Sequence, residues 1–297
     1  MKKLLTLVLV ALSVVGISAC EADELTIGFA ASTFTNPFFL DIEEGIESVL
    51  AGSDYTLVSL GADNDAARQA SQIEDLIAQG VDLILLNPVD STTVGVKIQE
   101  ANAAGIPVIT VDRSAETGVV IAHVASDNVL GGEMAAEFLQ GICPPNTPTL
   151  ELTGQAGASA AIDRSLGFQA IFGASNIDQT TTASWSRSDA QTVTEAFLSA
   201  EGNPAAVCIF AANDEMALGA VEAVKANPTT VLANSYIVGF DAIDDAVNAV
   251  NAGELRATVA QQPFEIGAVA AQIALDYLAG ETVPASVPVE LALVTKE

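Results

Sequence analysis

The 297-residue chain carries 38 acidic residues against 10 basic ones, a formal net charge of -28. Half of the residues are hydrophobic and 16% are charged, so the chain can bury a sizeable core and has length for two ordinary domains. The acidic surplus argues against a nucleic-acid partner, and one histidine with three cysteines argues against a Cys/His metal cluster, so we expect no cofactor.

The first 19 residues have the features of a secretion signal. Two lysines precede an uncharged stretch over residues 4–15, which is too short to span a membrane comfortably. The segment ends in ISAC, which resembles the lipobox of bacterial lipoproteins, in which the cysteine is lipidated. We expect removal of residues 1–19 and a lipid anchor on Cys20. A plain signal peptide cleaved near Ala19 and a buried N-terminal helix are the alternatives.

Strand and helix patterns alternate through the rest of the chain. The predicted strands cover residues 25–31, 55–60, 81–86, 106–111, 119–124, 149–153, 180–185, 205–211, 236–240, 257–260 and 287–294. The predicted helices cover residues 36–50, 65–79, 91–104, 130–139, 160–172, 189–200, 215–226, 244–252 and 264–278.

This alternation predicts an α/β protein with doubly wound parallel sheets. The elements are too many for one five- or six-stranded sheet, so two similar lobes fit better. A single eight-fold barrel is the rival, but the number of strands exceeds its eight repeats. Because no Pro/Ser-rich linker separates two halves, we expect short strand-like crossovers between the lobes.

Two cysteines of the exported part are candidates for a disulfide, because secretion implies an oxidising compartment. Cys143 precedes the predicted strand 149–153, and Cys208 lies inside the strand 205–211. The bridge is within reach if those strands are neighbours. Two separate buried thiols are the alternative.

Polar and aromatic residues follow the ends of the predicted strands, which is where open α/β sheets bind ligands. Carboxylates, amides and guanidiniums can each hold two hydroxyls, and aromatic rings pack on apolar C–H faces, so this mixture suits a sugar. Each residue alone has an ordinary explanation as core, surface ion pair or helix cap, and the interpretation depends on their joint placement. The candidates are Ser32, Asn36, Phe38, Phe39, Asp112, Arg113, Arg164, Trp185, Asn213, Phe240, Asp241 and Gln261.

Five strings of the sequence resemble the periplasmic ribose-binding proteins of ABC transporters. They are STFTNPFF at 32–39, PVITVDR at 107–113, ASDNVLGG at 125–132, NDEMALGA at 213–220 and VGFD at 238–241. The resemblance extends over the chain from about residue 25 to residue 297. By this likeness the twelve candidates are the sugar-contacting residues, with Ser32 the weakest match. Trp185 departs from the pattern, because ribose binders typically place phenylalanine there.

The resemblance implies a periplasmic binding protein of type I. Its fold has two Rossmann-like, doubly wound parallel-sheet lobes, joined by a three-strand hinge and closing on the ligand. The N-terminal lobe would contain residues 21–126 and 262–290, and the C-terminal lobe residues 127–261 and 291–297. The location implied is the periplasm or the extracellular face of the membrane.

The implied function is that of a monomeric, lipid-anchored substrate-binding protein, not an enzyme, that delivers D-ribose to an ABC permease. Another pentose or a small hexose such as allose stays open as the ligand, as does a role in chemotaxis through a chemoreceptor. A sugar-processing enzyme is less favoured, because no Ser/His/Asp arrangement is visible and His123 lies mid-strand. The turn at residues 154–157 lacks the lysine of a phosphate-binding loop.

Overall fold

Twelve strands and nine α-helices alternate through residues 25–296, the part of the chain that the computed structural model describes. The predicted secretion signal (1–19) and Cys20 lie outside the described residues. The strands are β1 (Leu25–Ala31), β2 (Tyr55–Gly61), β3 (Leu83–Leu86), β4 (Val108–Val111), β5 (Ala122–Ser126), β6 (Thr149–Thr153), β7 (Gln179–Thr182), β8 (Cys208–Ala211), β9 (Tyr236–Asp241), β10 (Ala257–Ala260), β11 (Ser286–Val289) and β12 (Ala292–Thr295). The helices are α1 (Pro37–Leu50), α2 (Ala66–Gln79), α3 (Gly95–Ala103), α4 (Asn128–Ile142), α5 (Ser159–Phe172), α6 (Arg187–Ala200), α7 (Asp214–Ala226), α8 (Asp244–Ala252) and α9 (Pro263–Leu278).

The strands form two six-stranded sheets, one in each lobe. The first has the order β11-β5-β4-β3-β1-β2, and all its neighbouring strands are parallel. The second has the order β12-β10-β9-β8-β6-β7 and is parallel except for the pairing of β10 with β12. The prediction of two doubly wound α/β lobes is confirmed, and the single eight-fold barrel is excluded.

The chain passes between the two sheets three times: after β5, after β10, and between β11 and β12. The third passage shows that the prediction of one strand over 287–294 was wrong. Residues Ser286–Val289 pair in the first sheet, while Ala292–Thr295 pair in the second. The segment stays extended as it leaves the edge of the first sheet and joins the edge of the second, so its apolar pattern does not show where one strand ends and the next begins. The predicted lobe boundaries are compatible with these passages and stay a prediction.

The buried strands explain why the sheets form. Every residue of β3 and β4 is buried, as expected for parallel strands covered on both faces. In the first lobe, α1 and α9 contribute to a core cluster on one face, and α2 and α3 to a second cluster on the other. None of the helices within residues 25–296 combines the length and hydrophobicity needed for a membrane span.

A disulfide joins Cys143, which follows the last residue of α4, to Cys208, the first residue of β8. Their Cα atoms are 6.1 Å apart. The predicted condition holds, because β6 and β8 are neighbours in the second sheet. The bond closes a sequence separation of 65 residues and ties the end of α4 to the start of β8, an interior strand of the second sheet.

Candidate binding site

A cavity of about 270 Å³ lies between the lobes, where the strands of both sheets end. Its walls combine polar and aromatic side chains that are far apart in the sequence. Ten of the twelve predicted site residues line it, and all ten are buried. These are Asn36, Phe38, Phe39, Asp112, Arg113, Arg164, Trp185, Asn213, Asp241 and Gln261.

Ser32 and Phe240 are not among the residues that line the cavity, and their contact with the ligand stays a prediction. Successive residues of a strand point to opposite faces, so Phe240 cannot share the orientation of Asp241. The Phe240 ring instead supports Arg164, whose Cζ lies 3.8 Å from the ring centroid. Ser32 is fully buried, and its N–H donates to Asn87 Oδ1 at 3.2 Å.

Unusual backbone conformations place three of the site residues. The φ angles are 62° at Asp112, which follows β4, 65° at Trp185 and 119° at Asp241, which ends β9. Positive φ is unfavourable for residues other than glycine and costs on the order of 1–3 kcal/mol, so surrounding contacts must stabilise it. The predicted strand 180–185 is therefore too long. The observed strand β7 ends at Thr182, and Trp185 lies in the turn that follows.

Asp112 is oriented by an amide that the sequence analysis missed. Asn87 Nδ2 donates to Asp112 Oδ2 and to Val111 O, each at 3.0 Å. The other carboxylate oxygen, Asp112 Oδ1, has no hydrogen-bond partner among the described residues. Asn87 directly precedes Pro88 after β3, and the sequence analysis did not name it.

Arg164 connects the carboxylates of the two lobes. Its Nε donates to Asn128 Oδ1 and its Nη1 to Ala212 O, each at 2.7 Å. Nη1 also lies 3.5 Å from Asp241 Oδ1, and Nη2 lies 3.9 Å from Asp112 Oδ1. The guanidinium is therefore fixed by its own lobe and extends to the carboxylate of the other.

Close packing of α4 on α5 brings Asn128 to Arg164. A Cβ atom on Gly132 would lie 2.2 Å from Arg164 O, and one on Gly167 would lie 2.0 Å from Val129 O. Only glycine allows the two backbones to approach this closely.

The indole ring of Trp185 packs against the guanidiniums of Arg113 and Arg164 and against Gly154. The Cζ atoms of Arg113 and Arg164 lie 5.2 and 5.7 Å from its ring centroid. A Cβ atom on Gly154 would lie 2.0 Å from Trp185 Cζ2, so this glycine makes room for the indole. The turn at 154–157 thus serves the cavity wall. Trp185 Nε1 is buried and has no hydrogen-bond partner among the described residues.

Two site residues are also helix caps, which is one of the ordinary explanations that the sequence leaves open for such residues. Asn36 Oδ1 accepts from Phe38 N–H at 3.0 Å, and Asn213 Oδ1 accepts from Met216 N–H at 2.9 Å. Each side chain has an NH₂ group in addition to the capping oxygen, so capping does not exclude a ligand contact. Asp241 does not cap α8, whose first residue is preceded by Ile243.

Burial shifts the ionisation of the charged groups. It raises the pKa of Asp241 to about 7, although Arg164 and Gln261 favour the charged form. It lowers the pKa of Arg113 to about 10, and it also lowers the pKa of Arg164. Burial, together with nearby Asp241, raises the pKa of Asp214. The charges at the cavity are thus poorly solvated and favour a ligand that supplies hydrogen bonds.

Five lining side chains hold a buried polar atom without a hydrogen-bond partner in residues 25–296. Three are acceptors, Asn64 Oδ1, Asp112 Oδ1 and Gln261 Oε1, and two are donors, Arg113 Nε and Trp185 Nε1. Such a mixture matches hydroxyl groups, which both donate and accept. No group of three or more His, Cys, Asp or Glu side chains in the described part of the chain could hold a metal ion.

Eight further residues line the cavity, and the sequence analysis did not name them. Five lie in the loops after β1, β2 and β7, and three lie in the first turns of α5, α6 and α7, so the same rule applied to whole loops would have included most of them. They are Thr33, Thr35, Asn64, Ala160, Ser184, Ser186, Arg187 and Glu215.

The chain matches the model of the periplasmic binding protein domain over residues 27–282. It belongs to the periplasmic binding protein family. The ribose import binding protein RbsB of Haemophilus influenzae is 41% identical over all of both chains. That of Bacillus subtilis is 42% identical over 92% of this chain and 88% of its own.

A solved structure gives the same assignment. An ABC transporter periplasmic solute binding protein from Actinobacillus succinogenes with bound D-allose superposes with a TM-score of 0.81 at 27% identity. The match covers 92% of this chain and 98% of that chain. The predicted type I fold is confirmed, as are the prediction that the protein is not an enzyme and, from the family, its periplasmic location.

Proposed function

We propose that this chain is the substrate-binding protein of an ABC importer, and that it captures D-ribose between its lobes for delivery to a permease. The observation that carries the proposal is the set of buried donors and acceptors around one cavity. The ribose import binding proteins at 41% and 42% identity support the choice of ribose.

We assign a role in sugar recognition to four of these five buried atoms, those on residues predicted from the sequence. Asp112 Oδ1 and Gln261 Oε1 accept hydrogen bonds from hydroxyls, while Arg113 Nε and Trp185 Nε1 donate to sugar oxygens. A sugar that lacks a matching hydroxyl leaves one group unpaired, at a cost of about 1–3 kcal/mol. An epimer is then rejected by roughly one to two powers of ten per mismatch.

The size and charge of the cavity favour a small neutral ligand. Its volume of about 270 Å³ lies just below the range of about 300–1,000 Å³ typical of pockets for drug-sized molecules. Arg113 and Arg164 already face Asp112 and Asp241, so the site does not require a charged ligand.

A second candidate ligand is another pentose or a small hexose such as D-allose. Two observations favour it: the structural relative that holds D-allose, and the indole at Trp185, which is larger than phenylalanine. Presentation of the closed form to a chemoreceptor would use the same sugar site. We also infer that the protein acts as a monomer.

Calorimetry with a panel of sugars tests the proposal. The sugar-free protein lacking residues 1–19 is titrated with D-ribose, D-allose, D-xylose, L-arabinose and myo-inositol, and we expect D-ribose to bind most tightly. Arg113→Ala should abolish the binding, while Arg68→Ala, which removes an exposed ion pair with Asp63, should not. Tightest binding of D-allose would establish the second candidate. No binding of any sugar, or wild-type affinity in Arg113→Ala, would refute the site.

We propose in addition that Cys20 carries a lipid that holds the protein at the membrane. The support is the ISAC string at the end of the secretion signal. Fractionation of cells that express the full chain should place the wild type with membranes and Cys20→Ala in the soluble fraction. A soluble wild type would contradict the anchor and leave the sugar site unaffected.

A further inference from the structure

Helix α5, which carries Arg164, has no cap of its own. Its N-cap residue is Ala158, and no side chain of the flanking turn accepts from the first N–H groups of the helix. Such N–H groups need a partner, and Ser, Thr, Asp or Asn at the N-cap normally provides it.

The missing cap comes from the other lobe. Ser91, in the loop after β3, accepts a hydrogen bond from Ser159 N–H through its hydroxyl oxygen at 3.1 Å. The Ser91 N–H donates to Gly157 O at 2.9 Å. Both partners belong to the turn that begins α5. Ser91 is 2% exposed, so the contact is shielded from water.

Two further hydrogen bonds reinforce this contact. The Ser159 hydroxyl accepts from Ser114 N–H at 2.9 Å, and Ser114 lies in the loop after β4. Gln155 Nε2 donates to Asn64 O at 3.2 Å, and Asn64 lies in the loop after β2. Residues 155–159 of the second lobe therefore contact three loops of the first.

We propose that these four hydrogen bonds form a latch that stabilises the closed cleft by capping α5 across it, and that Ser91 and Ser159 are positioning residues for sugar binding. The inference rests on the proposed function. Ser91, Ser114 and Ser159 do not line the cavity, so they act through closure and through the helix that carries Arg164.

The latch should affect the affinity for all sugars equally, which distinguishes it from a residue that lines the cavity. Because Ser91 and Ser159 do not contact the sugar, the latch adds the same free energy to closure whichever sugar is bound. Removing it weakens the binding of every sugar by the same factor. A change at a lining residue such as Trp185 alters the ratio between sugars.

Calorimetry of Ser91→Ala and Ser159→Ala with D-ribose and D-allose tests the latch. We expect about fivefold weaker binding of both sugars in each variant, equivalent to about 1 kcal/mol at 1.4 kcal/mol per tenfold. The double variant should lose more than either single variant, up to about 25-fold, because the two hydroxyls accept different hydrogen bonds although the residues are in contact. Ser159→Thr, which keeps the hydroxyl, should recover most of the loss. Thr92→Ala removes an exposed neighbouring hydroxyl and is the matched control.

Three outcomes would overturn the latch. The first is unchanged affinity in the double variant, and the second is a changed ratio between the Kd values of the two sugars. The third is a loss of unfolding free energy in the sugar-free protein as large as the loss of binding free energy. If the wild type binds no sugar, the proposed function fails separately. The latch is then judged by X-ray scattering, in which the double variant must have the larger radius of gyration, and equal radii would refute it.

Discussion

Asp241→Asn separates the binding role of this carboxylate from its effect on stability. Asp241 accepts from Gln261 Nε2 at 2.6 Å and lies 3.5 Å from Arg164 Nη1. Asparagine has the same shape without the charge, so the cavity keeps its form. What changes is the strength with which the side chain accepts hydrogen bonds from hydroxyls.

The expected loss of affinity follows from the hydrogen bonds. A hydrogen bond to a charged group contributes about 1.5–3 kcal/mol, and a carboxylate can accept from two sugar hydroxyls. Losing both gives about 3–6 kcal/mol, or roughly a 10²- to 10⁴-fold weaker Kd.

The expected effect on stability has the opposite sign. Burial raises the pKa of Asp241 to about 7, which means that folding disfavours its charged form. At pH 8 the ionised carboxylate of Asp241 therefore destabilises the sugar-free protein, relative to its neutral form, by on the order of a few kcal/mol, and this balance already includes the attraction of Arg164. The asparagine variant should unfold at the same or a higher temperature.

Calorimetry and thermal unfolding at pH 8 measure the two effects. Asp75→Asn, on an exposed position of α2, is the control and should change neither. Wild-type affinity in Asp241→Asn would remove this residue from the site. A melting temperature several degrees below that of the wild type would show that the carboxylate stabilises the fold instead.

Three further predictions concern pH, the indole and the disulfide. Because sugar hydroxyls favour ionised Asp241, affinity should weaken below pH 7 by up to about tenfold per pH unit, and calorimetry between pH 5 and 8 should find no such slope in Asp241→Asn. The sugar-free wild type should become less stable as the pH rises from 5 to about 7. Over this range folded Asp241 holds a proton that the unfolded chain has already lost, and that advantage disappears as the pH passes the raised pKa of about 7. Trp185→Phe should weaken D-ribose about tenfold or more and change its ratio to D-allose, and unchanged titrations would exclude the N–H as a donor. Replacing Cys143 and Cys208 by serine should lower the free energy of unfolding by about 4 kcal/mol for a 65-residue separation while Kd stays constant, and equal denaturant midpoints would contradict this.

The sequence allowed the fold to be predicted because its signals are local. The fully apolar runs of β3 and β4 identify buried parallel strands without any knowledge of their neighbours. The same reasoning placed Asp112 and Asp241 at strand ends, which is the edge of a parallel sheet where α/β proteins bind ligands. It failed at residues 286–295, because one extended segment leaves one sheet and enters the other with no change in its apolar pattern.

The orientation of the site could not be predicted, because it depends on contacts between lobes and between helices. Asn87 and Asn128 have no local pattern that marks them as partners of Asp112 and Arg164. The cap of α5 is the clearest case. The sequence shows only an alanine at the N-cap, and its partner Ser91 lies 68 residues before Ser159.

The central claim is that buried side chains of two lobes surround one neutral sugar. A crystal structure of the mature protein with saturating D-ribose tests it most directly. The account predicts one sugar in the interlobe cavity, with hydroxyls within hydrogen-bond distance of Asp112 Oδ1, Gln261 Oε1, Arg113 Nε and Trp185 Nε1. Ribose bound elsewhere, or a closed cavity that holds no sugar, would contradict it.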